Sequence, residues 1–151
     1  TMNYIPFKGP GFMLERPDTW TATASLDYQT MFSADVNAWG VRPNMLLSIR
    51  PLNDEASLGD VMEQARLIAQ KELHGYEILQ EVDQSPDGWV ERRYGWVRTE
   101  DDLGIVQLQR FYKFGNLLFA FTATRTEYES EYDEVFYRIL ESFHLNSPRN
   151  N

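Results

Sequence analysis

Cysteine is absent from the 151 residues, which excludes disulfides, thiolate catalysis and zinc–thiolate sites and leaves the redox compartment undecided. Long apolar runs are absent as well. None approaches the ~20 residues of a membrane helix, so no stable membrane insertion is expected. Positive charge is scarce: 14 Lys and Arg stand against 23 Asp and Glu, a net charge of -9. A nucleic acid is therefore not an expected partner, because binding would begin against the summed field. The two histidines, His74 and His144, each fall at the end of a predicted helix, where the dipole favours a cation, and neither has the spacing of a metal pair. There is no G-x-x-x-x-G-K loop, no G-x-S-x-G elbow and no H-E-x-x-H. With so many carboxylates, some pair always resembles an acid and a base, so such pairs carry no weight. No enzyme and no cofactor are expected.

What is present fits one soluble domain. Hydrophobic residues make up 42% and charged residues 25%, near the globular average. The chain opens Thr1-Met2-Asn3-Tyr4-Ile5, without a basic region followed by an apolar one. Thr1 reads as a cloning scar and Met2 as a start, which implies a cytoplasmic protein; a trimmed export signal is the alternative. Residues 1–10 form an N-terminal segment, 11–145 the domain, and 146–151 a disordered polar tail.

Turn residues divide the domain. Pro10-Gly11 and Pro17-Asp18 bracket a strand over 12–15, and a longer extended segment covers 20–31. Residues 33–43 read as a loop, and 44–50 as a short strand. The first helix spans 58–74, with Ser57 as N-cap, Asp60 completing the capping box, and Gly75 as the stop. Leu58, Val61, Met62, Ala65, Ile68, Ala69 and Leu73 recur at helical spacing. The second helix is expected to begin at a Thr126/Glu129 capping box, with Tyr128, Tyr132, Val135, Phe136, Ile139, Leu140 and Phe143 on one side. Its acidic start is a solvated helix N-terminus rather than a docking site. Four strands lie between the helices, over 76–82, 89–99, 105–114 and 117–125. The fold class is α+β: an antiparallel sheet of about six or seven strands packed with two amphipathic helices.

A two-residue Gly115-Asn116 loop sets Phe114 opposite Leu117. Leu108, Arg110, Tyr112, Phe114, Leu117, Phe119, Phe121 and Ala123 then share the more apolar face, expected under both helices with Met45, Leu47 and Ile49. The opposite, open face carries Gln107, Gln109, Phe111 and Lys113 with Leu118, Ala120, Thr122 and Thr124, extended by Leu46, Ser48 and Arg50. A left-handed Gly104 in a three-residue loop puts Tyr94 and Trp96 on the helix side, and a two-residue loop puts them on the open face. Arg92, Arg93 and Arg98 beside those aromatics are read as cross-strand ion-pairing groups. Gln107-x-Gln109 beside Thr122-x-Thr124 offers amide and hydroxyl groups between apolar side chains. The candidate partner-binding residues are Gln107, Gln109, Phe111, Thr122, Thr124, Leu46 and Ser48, and the chemistry that suits them is an apolar peptide with exposed backbone or small polar groups.

The chain as a whole resembles the superfamily of PsbP, DcrB and Mog-type proteins. The matching features are residues 11–17 (GFMLERP) with Trp20, Ser57-Leu58 opening the first helix, Gly75-Tyr76, Asp87-Gly88, the QLQ strand from Gln107 to Gln109, and the closing Ile139-Leu140-Glu141-Ser142-Phe143. They cover about residues 11–144. The resemblance implies a PsbP/Mog-like sandwich. Its cytosolic bacterial branch is similar to the Eag-type chaperones of type VI secretion, homodimeric adaptors that shield the transmembrane helices of an effector and help load it onto the secretion spike. In that branch polar side chains of the concave sheet face hydrogen-bond the bound helices, a role that Gln107 and Gln109 match in kind. The expected function is a cytoplasmic, homodimeric chaperone for an apolar segment of a secretion effector. The alternative is a DcrB- or PsbP-like envelope or photosystem-associated protein binding a protein or lipid ligand.

Overall fold

The computed structural model describes residues 2–36 and 38–146. Thr1, loop residue Asn37 and tail residues 147–151 lie outside the described residues.

The chain begins with a hairpin. β1 (Tyr4–Gly9) and β2 (Phe12–Pro17) pair antiparallel through the two-residue turn Pro10-Gly11, with Gly9 opposite Phe12. Proline fixes φ for the first turn position, and Gly11 takes the positive φ of 81° that the second requires. The sequence reading leaves residues 1–10 as an N-terminal segment with no strand assigned, and β1 forms there despite Pro6. β1 tolerates Pro6 because it is an edge strand of a small sheet. Gly9 has its own steric reason: a Cβ there would lie 2.0 Å from the Phe12 ring, which is fully buried. Gly9→Ala is expected to lower stability by about 1–3 kcal/mol through overpacking; urea unfolding with an unchanged midpoint would contradict this.

The segment over 20–31 is not one strand. β3 (Thr21–Thr23) and β4 (Thr30–Ser33) pair with each other, and residues 24–29 form the connection, where the Ser25 hydroxyl accepts from the Asp27 N–H. β5 (Asn44–Pro51) follows, then α1 (Leu58–Glu72). Ser57 caps α1 as expected: its hydroxyl accepts from the Asp60 N–H at 3.1 Å, and the Asp60 carboxylate accepts from the Ser57 N–H. The helix ends before His74, with Leu73 at the C-cap, so Gly75 (φ 68°) lies one residue beyond the C′ position assigned to it.

β6 (Glu77–Val82), β7 (Val90–Arg98), β8 (Leu103–Phe114) and β9 (Leu117–Thr126) complete a seven-stranded antiparallel sheet in the order β3-β4-β5-β9-β8-β7-β6. Phe114 faces Leu117, as the Gly115-Asn116 turn requires. The β7–β8 loop has four residues, with Arg98 opposite Leu103; Asp102, not Gly104, takes the positive φ. Tyr94 therefore faces Gln107, and Tyr94 and Trp96 lie on the Gln107 side of the sheet.

α2 (Tyr132–Ser142) starts five residues later than the Thr126/Glu129 box implied. Thr126 is held in the β8–β9 ladder opposite Ile105, so the chain cannot enter a helix there. The Thr126 hydroxyl still meets Glu129, donating to Oε1 at 2.7 Å, but within a turn. Tyr128 consequently lies outside the helix, exposed and against Trp39. β10 (His144–Leu145) joins β2 and completes the small sheet β1-β2-β10. Asn146 is not frayed: its N–H donates to the Gly11 carbonyl at 2.9 Å.

Both helices were expected on one face, and the structure separates them. α2 and Phe12 and Leu14 of the small sheet pack on Leu108, Phe119, Phe121 and Ala123 of the large sheet to form the main core. α1 packs on the opposite face through Met62, over Val90, Phe111 and Leu118. The face expected to be open is thus half covered. Its apolar end, not its Gln/Thr end, recruits the helix, since burying those side chains is worth roughly 1.5–3 kcal/mol each.

Candidate functional site

Antiparallel pairing puts directly opposed residues on the same face, so register alone builds the site. Across β5, β9, β8 and β7 the rows are Asn44–Thr124–Gln107–Tyr94 and Leu46–Thr122–Gln109–Arg92. Beneath α1 the next row is Ser48–Ala120–Phe111–Val90. All seven sequence-predicted residues lie on this one face. Phe111 alone departs from its expected surroundings: it is 4% exposed and serves as floor under α1 rather than as open surface.

The amides and hydroxyls pair with each other across the strands. Gln107 Nε2 donates to the Thr124 hydroxyl at 3.0 Å, and Gln107 Oε1 accepts from the Trp96 indole N–H at 2.9 Å. Gln109 Nε2 donates to the Thr122 hydroxyl at 3.4 Å, a longer bond, and its Oε1 has no hydrogen-bond partner among the described residues. Gln107 is therefore fixed in orientation, whereas Gln109 keeps an acceptor available.

The α1 edge and the sheet enclose a cleft of about 500 Å³ beside this ladder. Ser48, Gln109, Phe111 and Thr122 line it from the sheet, and Asp60, Val61, Gln64, Ala65 and Ile68 from the helix. Gln107, Thr124 and Leu46 are not in its lining but continue the same face beyond it. Sequence reasoning missed Gln64, which carries no protein hydrogen bond among the described residues and is indistinguishable in sequence from a solvated helix residue. Ile68 had a signal that was misread. It belongs to the apolar stripe of α1 yet stays 55% exposed at the cleft, because the stripe is wider than the strip of sheet available to cover it.

Charged groups bound the site without entering the Gln/Thr ladder. Arg92 reaches back to the helix, its Nη1 donating to the Met62 carbonyl at 3.3 Å and its Nη2 to Glu81 at 2.6 Å, the expected cross-strand ion pair. Lys113 Nζ donates to the Asp54 and Ala56 carbonyls at 2.7 and 2.8 Å and ties the chain before α1 to the sheet. Tyr94 is buried against Tyr76, and burial pushes its phenol far above the ordinary range, so it is neutral at any physiological pH. Among the described residues no group of three or more His, Asp or Glu side chains is placed to hold a metal ion. No helix among them is long and apolar enough to cross a membrane. The arrangement is a half-polar cleft: mainly apolar walls that include Arg50, Asp60 and Gln64, with a short row of amide and hydroxyl groups at the floor.

No protein-family profile matches the chain, and no curated protein matches it in sequence. Solved structures do. The chain is similar to cyanobacterial PsbP (CyanoP) from Synechocystis sp. PCC 6803, with a TM-score of 0.69 and 14% identity, over 97% of this chain and 94% of that one. It is also similar to LpqN of Mycobacterium tuberculosis, which is involved in cell envelope biogenesis (TM-score 0.68, 13% identity, 96% and 91% covered). A third likeness is to the Ran-binding protein Mog1p of Saccharomyces cerevisiae, at a TM-score of 0.65 and 11% identity, covering 96% of both chains. At these identities the likeness is one of fold, and the chain has the PsbP/Mog-like α+β fold.

Proposed function

We propose that this protein is a non-enzymatic adaptor that holds an apolar helical segment of another protein on the open half of its large sheet. The finer form of the proposal is a cytoplasmic, homodimeric chaperone for the transmembrane-type segments of a type VI secretion effector. The observation that carries the reading is the cleft beside α1. Its walls are mainly apolar with Arg50 and Asp60 among them, Ile68 is half out of the core, and Gln109 Oε1, Ser48 and Gln64 keep hydrogen-bonding capacity there. An apolar helix gains burial on such walls, and its small polar side chains or strained backbone gain partners on the floor. Mog1p shows that one protein of this fold binds a protein partner.

The test is binding of a 20-residue Leu/Ala helix containing central Gly and Ser residues, followed by titration and by sedimentation of the complex. Gln107→Ala with Gln109→Ala is expected to weaken binding about two- to tenfold, since the free Gln109 acceptor on the cleft floor contributes roughly 0.5–1.5 kcal/mol and Gln107 lies beyond the lining. Folding should be little altered, because both side chains bond only to other side chains on the half-open face. A protein that stays monomeric and ignores every apolar helix offered would sink the proposal.

A further inference from the structure

A second cavity, also of about 500 Å³, lies on the other face of the large sheet, under the C-terminal end of α2. Its walls are chiefly aromatic and aliphatic, with Trp89, Tyr112, Phe114 and Phe143, and Arg110 lines it together with Asp87, Glu141 and His144. Arg110 is 5% exposed and tightly held. Its Nε donates to Glu91 at 2.6 Å, its Nη1 to the Tyr112 hydroxyl at 3.4 Å, and its guanidinium stacks 3.6 Å from the Trp89 ring centre. Glu91 is fixed in turn by the Tyr137 hydroxyl at 3.2 Å, which itself accepts from Arg93 at 3.1 Å. Nη2 of Arg110 makes no protein hydrogen bond among the described residues, and it is not among the fully enclosed polar atoms left without a partner. Nη2 thus keeps some accessible surface and unused donor capacity on a residue that lines the cavity.

We propose that this cavity is a binding site for a small neutral aromatic molecule carrying a carbonyl or amide oxygen. The flat walls select an aromatic body, which contributes through area burial and ring–ring contact. Arg110 Nη2 is a donor held in place before the ligand arrives, so little ordering is required on binding. An anion is disfavoured even though the donor is cationic. Glu91 already neutralises Arg110, and Asp87 and Glu141 add negative charge to the lining. An ammonium group gains from those carboxylates but has no acceptor to offer Arg110, so it leaves the guanidinium N–H groups unpaired. The site is on the opposite face from the α1 cleft, so it does not depend on the adaptor reading.

The test uses three indoles of one body and different charge, indole-3-carboxamide, indole-3-carboxylate and tryptamine, titrated into the full 15N-labelled chain at pH 7. The carboxamide is expected to shift amides over 87–89, 110–114 and 140–145 with a dissociation constant on the order of 0.1–1 mM, the range ligand efficiency gives for its size. It should bind at least about fivefold tighter than either charged indole. Asp87→Asn, an exposed turn change with no side-chain hydrogen bond to lose, should narrow the gap for the carboxylate. N-acetyltryptophanamide separates the two natural sources of this chemistry. Binding as tight as that of the carboxamide identifies an aromatic residue of a peptide, and exclusion identifies a free small molecule. No saturable shift, shifts confined to the α1 cleft, or a charged indole binding tightest would overturn the proposal.

Discussion

Arg110→Ala should destabilise the protein by about 3–5 kcal/mol, because it strands a carboxylate in the interior. The side chains of Arg110 and Glu91 are each only 6% exposed. A buried ion pair is worth little against an apolar pair of the same shape, since desolvation offsets most of the attraction. Removing one partner is different in kind: the other remains out of water with its charge uncompensated. Glu91 would keep only the Tyr137 hydroxyl. The exchange Glu91→Gln with Arg110→Met removes both charges, fills the space of the guanidinium and leaves an acceptor for Tyr137. It should lose clearly less stability than Arg110→Ala alone. Urea midpoints of the three proteins decide the matter. Equal losses for the single and double changes would show that stacking on Trp89, rather than charge pairing, holds this region together.

Phe12→Ala is expected to cost a similar amount, about 3–5 kcal/mol, for a reason of packing. Phe12 is fully buried and joins the small sheet to the large one. Its ring lies 6.1 Å from Phe119 in an edge-on contact, 5.9 Å from Phe143 and 6.3 Å from Phe7. Truncation leaves a void between two sheets, and Gly9, whose missing side chain made room for the ring, cannot refill it. The loss should be accompanied by faster amide exchange over 4–17 and 144–145, the residues of the small sheet. Unchanged exchange there, with stability lost uniformly, would mean that the small sheet is held mainly by the α2 contacts, Glu15 with Arg138 and the Glu15 N–H with the Ser142 hydroxyl.

How far the sequence spoke depends on whether its signals were local. The β8–β9 register was legible because a two-residue turn at Gly115-Asn116 fixes it without help from the rest of the fold. Through that register the Gln107–Thr124 and Gln109–Thr122 pairs were legible too. The Ser57 cap was equally local. The face taken by α1 was not, because both faces of β8 and β9 carry apolar residues: Leu108, Phe119 and Phe121 on one side, Phe111, Leu118 and Ala120 on the other. Alternation says that two faces differ and cannot say which helix each receives. The Thr126/Glu129 box failed for a related reason. Its side chains met as the motif requires, but ladder bonds to β8 outweighed helix initiation. Arg110 was legible as a member of the helix-covered face, but no local signal named a partner for its charge. Only the opposed Glu91 on β7 and the aromatic wall of Trp89 make its burial tolerable, and that juxtaposition depends on a loop whose length the sequence left open.

The central claim is that the cleft between α1 and the Gln/Thr ladder receives an apolar helix. The direct measurement is paramagnetic broadening of backbone amides by a nitroxide at the midpoint of a bound 20-residue Leu/Ala/Gly/Ser helix. The account predicts broadening centred on residues 107–109, 122–124 and 60–68, with the amides around Phe12 and Phe136 on the far face unaffected. Broadening centred on α2 and the small sheet, or none in a saturated mixture, would contradict it.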